Sequence, residues 1–351
     1  MNIDQGRLEA LMGRMMGELG ALASAPLVLV GDRLGLYKAM AGSGPLTADE
    51  LSERTGIRRR YALEWLNTQA AGGFVLYNAP DATYTLTPEA ALVFADDDSP
   101  ANLCGAYECV EAMFHDVEKV ARAYRSGSGL GWHEHHPSLF KGTERFFRAG
   151  FNMRLVPEWI PALDGMLERL EEGASVADVG CGYGTSTIVM AKAFPKSRFV
   201  GYDSHAASIE VARGAAARAG VADRARFEVA TAKDYPGQFD LVACFDCLHD
   251  MGDPVGVGRY VRATLKPDGL WMIVEPFAHD RTEDNLNPVG RIFYAASSAV
   301  CTPCSLSQEV GLALGAQAGE SRLRAVVTEA GFARLRRAAE TPFNLVLEAR
   351  P

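Results

Sequence analysis

The stretch Asp178-Val-Gly180-Cys181-Gly182-Tyr-Gly184-Thr185 constrains this chain more than any other, because it joins an apolar, β-type run at 176–179 to a helical pattern. Glycines at alternate positions let a backbone turn sharply and come close to a ligand at a helix N-terminus, where unpaired N–H groups gather. Apolar runs at 176–179, 198–202, 226–229, 241–245 and 270–274 alternate with helical stretches. That alternation predicts a parallel sheet with crossover helices. A helix at 321–329 and an antiparallel pair at 335–338 and 344–349 complete seven strands.

The first hundred residues carry a different pattern. Leu27, Val28, Val30, Leu34, Leu36 and Tyr37 fit an amphipathic helix. Thr47-Ala-Asp-Glu50 is a capping box opening the next, and 58–71 reads as a third helix that Gly72-Gly73 stops. Residues 74–77 and 84–86 are β-rich and read as a hairpin. Helix, helix-turn-helix and two-stranded wing together predict a winged-helix module. A chain of 351 residues suits two or three domains. We assign 1–100 to the winged-helix domain, 101–170 to a helical connector and lid, and 171–351 to the α/β domain. Inside the connector, the Gly- and His-rich island 126–137 predicts a loop.

Composition narrows the function classes. Lys and Arg number 35 against 44 Asp and Glu, a net charge of -9 that argues against a continuous phosphate-binding face. Nucleic acid is therefore disfavoured as a partner. With 48% apolar and 23% charged residues the chain is globular and folds without a disulfide or metal staple. Seven cysteines, an odd count without dense spacing, suit reduced thiols in a cytoplasmic protein. The apolar stretch 19–30, interrupted by Ser24 and Pro26, falls short of the roughly 20 residues a membrane helix needs. Neither a span nor an export signal is expected.

Asp203 closes the strand after the glycine loop, so a carboxylate stands where a ribose would present two hydroxyls. A dinucleotide fingerprint wants Gly or Ala where Thr185 stands, and the Gly-Lys-Ser/Thr of a Walker loop is absent. Asp178, two before the first glycine, suits a ligand carrying an ammonium and a sulfonium rather than phosphates. S-adenosylmethionine is such a ligand. On these residues, 174–350 resembles the class I S-adenosylmethionine-dependent methyltransferases. Asp178 to Gly184 matches their acidic-G-x-G-x-G motif, and Asp203 the carboxylate that holds the adenosine ribose. Taken with its N-terminal module, the whole chain resembles the winged-helix small-molecule methyltransferases, a group that includes bacterial O-methyltransferases.

The resemblance implies a seven-stranded Rossmann-like domain behind an all-helical, winged-helix one. It also implies S-adenosylmethionine as cofactor with S-adenosylhomocysteine as product, a small-molecule methyl acceptor, and a homodimer built by the winged helix. The cofactor site would comprise Asp178, Gly180, Cys181, Gly182, Gly184, Thr185, Asp203 and Ser204, with Phe245 and Asp246 beside them. The match departs at the third strand, where the family often places Asp for the adenine amino group and this chain has Ala230-Thr231-Ala232. Thr231, through its hydroxyl, and Ala232 are the adenine-side candidates.

The fourth strand ends in Phe245-Asp246-Cys247-Leu248-His249-Asp250, and ligands of open α/β sheets bind beyond the carboxyl ends of strands. A phenol of pKa about 10 is only about a thousandth ionised at pH 7, so a positioned base contributes up to roughly 10³-fold. His249 suits that task. It also occupies the position that resembles the catalytic His of the O-methyltransferases. A structural His closing its own loop is the other reading. Asp250 is the candidate that orients it, and Glu275, ending the fifth strand, the candidate that touches the acceptor or the His. Asp246 reads as a cofactor-pocket residue or a strand-end cap.

Trp132-His-Glu-His-His136 crowds its ligands into adjacent positions and lacks helical metal-ligand spacing, so no metal is expected there. Trp132 and His133 are instead candidates for a lid over an aromatic acceptor. Phe147, Phe151 and Asn152 resemble the helix that covers the acceptor site in such enzymes, and core packing explains the aromatic pair equally well. Cys244-x-x-Cys247 and Cys301-x-x-Cys304 read as pocket lining rather than a zinc site, since positions i and i+3 of a strand face opposite ways. Residues 281–319 insert after the fifth strand and would shape the acceptor site. Two alternatives stand: a regulator that binds S-adenosylmethionine and reads DNA through the helix opened by Arg58-Arg59-Arg60, and transfer to carbon or nitrogen instead of oxygen.

Overall fold

The computed structural model describes residues 3–351. They form two compact units, one running to Glu111 and including Lys141–Ala149, the other comprising Ala112–Phe140 and Gly150–Pro351. The stretch 101–170, expected as one connector, is thus shared between the units. Within the first unit the reason is Arg145, whose guanidinium grips Asp32 at 2.7 and 3.0 Å.

The first unit contains α1 (Gln5–Arg33), α2 (Leu36–Met40), α3 (Ala48–Thr55), α4 (Arg59–Ala71), β1 (Leu76–Asn78), β2 (Thr83–Thr85) and α5 (Pro88–Phe94). α1 runs unbroken through Ser24 and Pro26. The tertiary burial of Val28, Leu29 and Gly31 outweighs the hydrogen bond that Pro26 removes. The break falls at Gly35, with φ 66°, so the amphipathic pattern at 27–37 is the end of α1 plus the start of α2. By length and composition alone, α1 is long and apolar enough to cross a membrane, and little of its apolar stretch is buried. Both halves of the capping box form at α3: Glu50 accepts from the Thr47 amide at 2.7 Å, and Thr47 Oγ1 accepts from the Glu50 amide at 3.2 Å. Trp65 of α4 donates to the Leu27 carbonyl at 2.8 Å, and β1 pairs antiparallel with β2 to make the wing.

Helices α6 (Cys104–His115), α7 (Val117–Ser126), α8 (Ser138–Gly150) and α9 (Met166–Glu172) lead to the sheet, with a π-helical stretch at Phe151–Trp159. The second unit's sheet holds β3 (Ser175–Val179), β4 (Arg198–Asp203), β5 (Ala225–Val229), β6 (Phe239–Phe245), β7 (Leu265–Pro276), β8 (Arg334–Glu340) and β9 (Asn344–Arg350). Its order is β5-β4-β3-β6-β7-β9-β8. The first five strands run parallel, and β9 lies antiparallel between β7 and β8. All seven residues of β6 are buried, as a strand covered on both faces requires. Crossover helices are α10 (Thr185–Ala193), α11 (Ala206–Arg218) and α12 (Pro254–Thr264). The insertion adds α13 (Pro288–Ala296), a π-helical stretch at Ser297–Cys301, and α14 (Thr302–Leu306) before α15 (Gly319–Glu329). Strand order reverses between β3 and β6, and a ligand crevice opens beyond the carboxyl ends of strands at such a switch point.

Candidate active site

The glycine loop follows β3 and folds onto β4, with the amides of Gly180 and Cys181 both donating to the Tyr202 carbonyl at 2.8 and 3.0 Å. All three of its glycines have positive φ. A Cβ at Gly180 would stand 2.7 Å from Cys247 Sγ, and one at Gly184 2.5 Å from the Phe227 ring, so both are fixed by protein packing. Gly182 differs: its Cβ would meet nothing within 4 Å. Packing leaves that position open, and a ligand lying against the loop supplies a reason for the glycine.

Asp178 is buried, and its Oδ2 accepts the hydroxyls of Ser186 and Thr187 at 2.5 and 2.6 Å. Its Oδ1 is buried with no hydrogen-bond partner. Burial pushes the carboxyl up to about 6 against the pull of the two hydroxyls. An orphaned acid oxygen behind the loop, with the Asp203 carboxylate nearby, fits a ligand bearing an ammonium. Asp203 takes the Gly182 amide on Oδ2 at 2.9 Å and the His205 amide on Oδ1 at 2.8 Å, which aims its remaining lone pairs outward from the end of β4. Burial raises this carboxyl as well. Cys181 is buried, Ser204 is exposed, and Thr185 opens α10. Thr231 is exposed and pairs with Asp234 in an isolated bridge just past β5, with Ala232 half-buried beside it.

Across the switch point, β6 ends in Phe245 and then turns at Asp246, whose φ is 50°. Phe245 meets the Phe151 ring edge-on at 5.3 Å. Asp246 accepts from Asn344 at 3.1 Å, a partner 98 residues away on the sheet's last strand. Burial and the nearby Glu275 hold the Asp246 carboxyl well above its usual range. His249 follows on a 3-10 turn, Leu248–Asp250, and is buried. Its Nδ1 donates to Glu275 Oε2, while Glu275 Oε1 accepts the Leu248 amide at 2.9 Å. That carboxylate fixes the ring and places the tautomeric proton on Nδ1. Nε2 lies 3.1 Å from Asp250 Oδ1. Burial works against the charged imidazole, but the Glu275 and Asp250 carboxylates outweigh it and hold its pKa well above the ordinary value.

The insertion clamps this turn. Gly252 exchanges hydrogen bonds with Gln308 at 3.1 Å and Leu312 at 2.9 Å, and Ser305 donates to the Met251 carbonyl at 2.9 Å. The Gly/His island packs on the same insertion through Leu130, whose amide donates to Pro303 at 2.9 Å. Trp132 is half-buried against Phe140, which in turn contacts His205 at 4.7 Å between ring centroids. His133 points to solvent, and the buried histidine of the island is His135, held by Asp116 at 3.0 Å. Asn152 is exposed, and Phe147 lies on the 141–149 segment of the first unit, against Phe146 at 5.1 Å. The Cys247 thiol donates to the Val179 carbonyl at 3.2 Å and meets Cys244, because the turn at Asp246 cancels the strand alternation expected to separate the pair. Sequence reasoning missed Ser186, Thr187, Asn344 and His135. The run Thr185-Ser-Thr187 beside a buried acid was a usable signal for the first two. No local pattern marks Asn344.

These features define a fold class: a winged-helix module joined to a domain with a Rossmann-like sheet. Residues 22–95 match the Rv2258c-like winged HTH domain, and residues 170–328 match a methyltransferase domain family. Over its length the chain is similar to a putative O-methyltransferase from Nostoc punctiforme, with a TM-score of 0.70, 18% identity, and 96% and 98% of the two chains covered. The mitomycin 7-O-methyltransferase MmcR gives a TM-score of 0.67 at 21% identity, covering 99% of this chain and 100% of that one. Human N-acetylserotonin methyltransferase, solved with SAM, gives 0.67 at 15%, covering 99% and 98%. Among curated proteins, the ubiquinone biosynthesis O-methyltransferase of Bordetella avium is 36% identical over 116 residues, 32% of this chain and 45% of that protein. Polyketide synthase ThaQ of Burkholderia thailandensis is 34% identical over 116 residues, 32% of this chain and 6% of that protein. The chain spans less than half the length of these curated relatives.

Proposed function

We propose that this protein is an S-adenosylmethionine-dependent methyltransferase that acts on a hydroxyl of a small molecule. The observation that carries the reading is the pairing, across one switch point, of an open glycine cradle over Asp178 with a buried His249–Glu275 dyad. When bound, S-adenosylmethionine would supply an electrophilic methyl group, to which an acceptor lone pair bonds in line as the carbon–sulfur bond breaks and S-adenosylhomocysteine leaves. Asp178 would face the ammonium, Asp203 the ribose hydroxyls, and Phe245 and Asp246 the β6 side of the nucleoside. Thr231 and Ala232 would border the adenine.

In its neutral form, with the proton on Nδ1, His249 takes the acceptor's proton on Nε2 as the oxygen attacks. Glu275 stabilises the imidazolium through Nδ1, and its negative charge makes the ring a stronger base. Asp250, beside Nε2, adds to that stabilisation. Trp132 and Phe151 supply aromatic faces for a planar acceptor. Incubation with methyl-labelled S-adenosylmethionine and a panel of phenols should label product with wild type and not with His249→Ala. Binding without turnover by wild type on every acceptor class would favour instead a regulator that only binds S-adenosylmethionine.

The homodimer has its support on α1. Leu8, Leu11, Met12, Met15, Met16, Leu19 and Leu22 recur at helical spacing and are each 40–64% exposed. A second copy of this helix would cover that stripe. Arg7, Glu9, Arg14 and Glu18 interleave with it and favour a protein partner over a bilayer. Seven free thiols support a cytoplasmic location. The DNA-reading alternative draws little support, since Arg59 and Arg60 are paired with Asp49 and Glu64.

A further inference from the structure

His249, Asp250 and Cys301 bring an imidazole nitrogen, a carboxylate oxygen and a thiol sulfur to within 4.8 Å of one another. Two separate segments build the cluster: the turn after β6 carries the first two, and the π-helical stretch Ser297–Cys301 ends on the third. Such π-turns are uncommon and concentrate at functional sites. We propose that these three side chains form a binding site for a thiophilic divalent cation, zinc being the ion their chemistry fits.

Three observations support it. First, the donor set of one nitrogen, one sulfur and one oxygen is that of an open, three-ligand zinc site, not of magnesium or calcium, which take oxygen alone. Second, Asp250 Oδ1 is buried and accepts no hydrogen bond, although His249 Nε2 lies 3.1 Å away. A cation between them satisfies both atoms. Tetrahedral bonds of about 2.0–2.3 Å separate ligand atoms by about 3.3–3.8 Å, so a pair at the 4.8 Å limit closes by about 1 Å, within the reach of side-chain rotation. Third, His249 gives its other ring nitrogen to Glu275, the carboxylate–histidine arrangement that orients metal-bound imidazoles. His249 and Cys301 are 4% and 6% exposed, and the Asp250 side chain 18%. The site is enclosed enough to hold an ion out of bulk water.

Occupation has a consequence that rests on the methyltransferase reading. Zinc on Nε2 takes the lone pair that would accept the acceptor's proton, so the bound ion inhibits. The binding itself does not depend on that reading.

The full-length protein, stripped with chelator, should be titrated with zinc against a chromophoric chelator, and separately with cobalt while the near-ultraviolet spectrum is followed. One equivalent bound below about 1 μM, with a thiolate-to-cobalt charge-transfer band, is expected. Cys301→Ala should weaken zinc at least 10- to 100-fold, a loss seen even for partners of the ligands, and abolish the band. Cys301→Ser covers the case in which the alanine variant misfolds, and Asp250→Asn should weaken zinc while keeping the band. Zinc should lower the activity of wild type and leave that of Cys301→Ala at the variant's own metal-free level. Failure of wild type to bind one equivalent, or an unchanged affinity and band in both Cys301 variants, would overturn the site. Tight zinc uptake by a protein with no methyl transfer would remove only the catalytic reading and leave the metal site standing.

Discussion

The two ends of the switch point are built in opposite ways. On the β3–β4 side, the ligand cradle is nearly all local: Asp178, its three glycines, Ser186 and Thr187 lie within ten consecutive residues, and Asp203 is 21 residues from the amide it holds. On the β6–β7 side, the His249 site is assembled from 249, 275, 301 and 308, with Asn344 bracing Asp246 from the last strand. Local construction makes a motif, and a motif specifies the cofactor. Assembly from distant segments makes a site that can be retuned one loop at a time, and it leaves little trace in the sequence.

The contrast breaks most sharply under mutation. His249→Ala should lower kcat by about 10²–10⁴ while the dissociation constant for S-adenosylhomocysteine holds, measured by stopped assay and calorimetry on the same preparation. Equal loss of binding and turnover would mean the two sides are not separable. Next in size, falling pH should loosen the cradle. Asp178 ordinarily titrates near 3.8 and here near 6, so it is charged above that value and neutral below it. An ammonium needs the charged form, and S-adenosylhomocysteine should bind about tenfold more weakly at pH 5 than at pH 7. A flat profile would remove Asp178 from contact with the ligand.

Smaller effects divide the glycines. Gly184→Ala forces a Cβ into Phe227 and should destabilise the fold by about 1–3 kcal/mol in urea. Gly182→Ala meets open space, so stability should fall by at most about 1–2 kcal/mol, the conformational strain alone, while cofactor binding suffers. If both variants behave alike, the loop is held by packing throughout and no ligand explains Gly182. Met15→Asp on α1 should leave the melting temperature nearly unchanged and convert a dimer to a monomer by light scattering, because the residue is 41% exposed.

Much of this was legible in the sequence. Each expected strand of the seven-stranded sheet lies within an observed one, because β-rich runs bounded by turns need only local reading, whereas the wing strands read at 74–77 and 84–86 are offset from the observed Leu76–Asn78 and Thr83–Thr85. The capping box at Thr47 and the terminal antiparallel pair formed as read. What sequence obscured is tertiary in origin. Pro26 reads as a breaker, yet burial around Val28 carries the helix through it. His133 and His135 look alike in the chain, and Asp116 decides that the second is buried. Glu275 reads equally well as a solvated strand end, and its bond to His249 exists only because β6 and β7 are neighbours in register. Cys301 carried no signal toward His249, since a π-helical stretch inside a long insertion brings them together.

The central claim is that the loop after β3 and the carboxylate ending β4 together hold a sulfur nucleoside. Calorimetric titration of S-adenosylhomocysteine into wild type and Asp203→Ala tests it most directly. The account predicts one site per chain in wild type and an affinity loss of at least about 100-fold in the variant, which forfeits charged hydrogen bonds of about 1.5–3 kcal/mol each. No heat of binding in wild type, or the same affinity in both proteins, would contradict it.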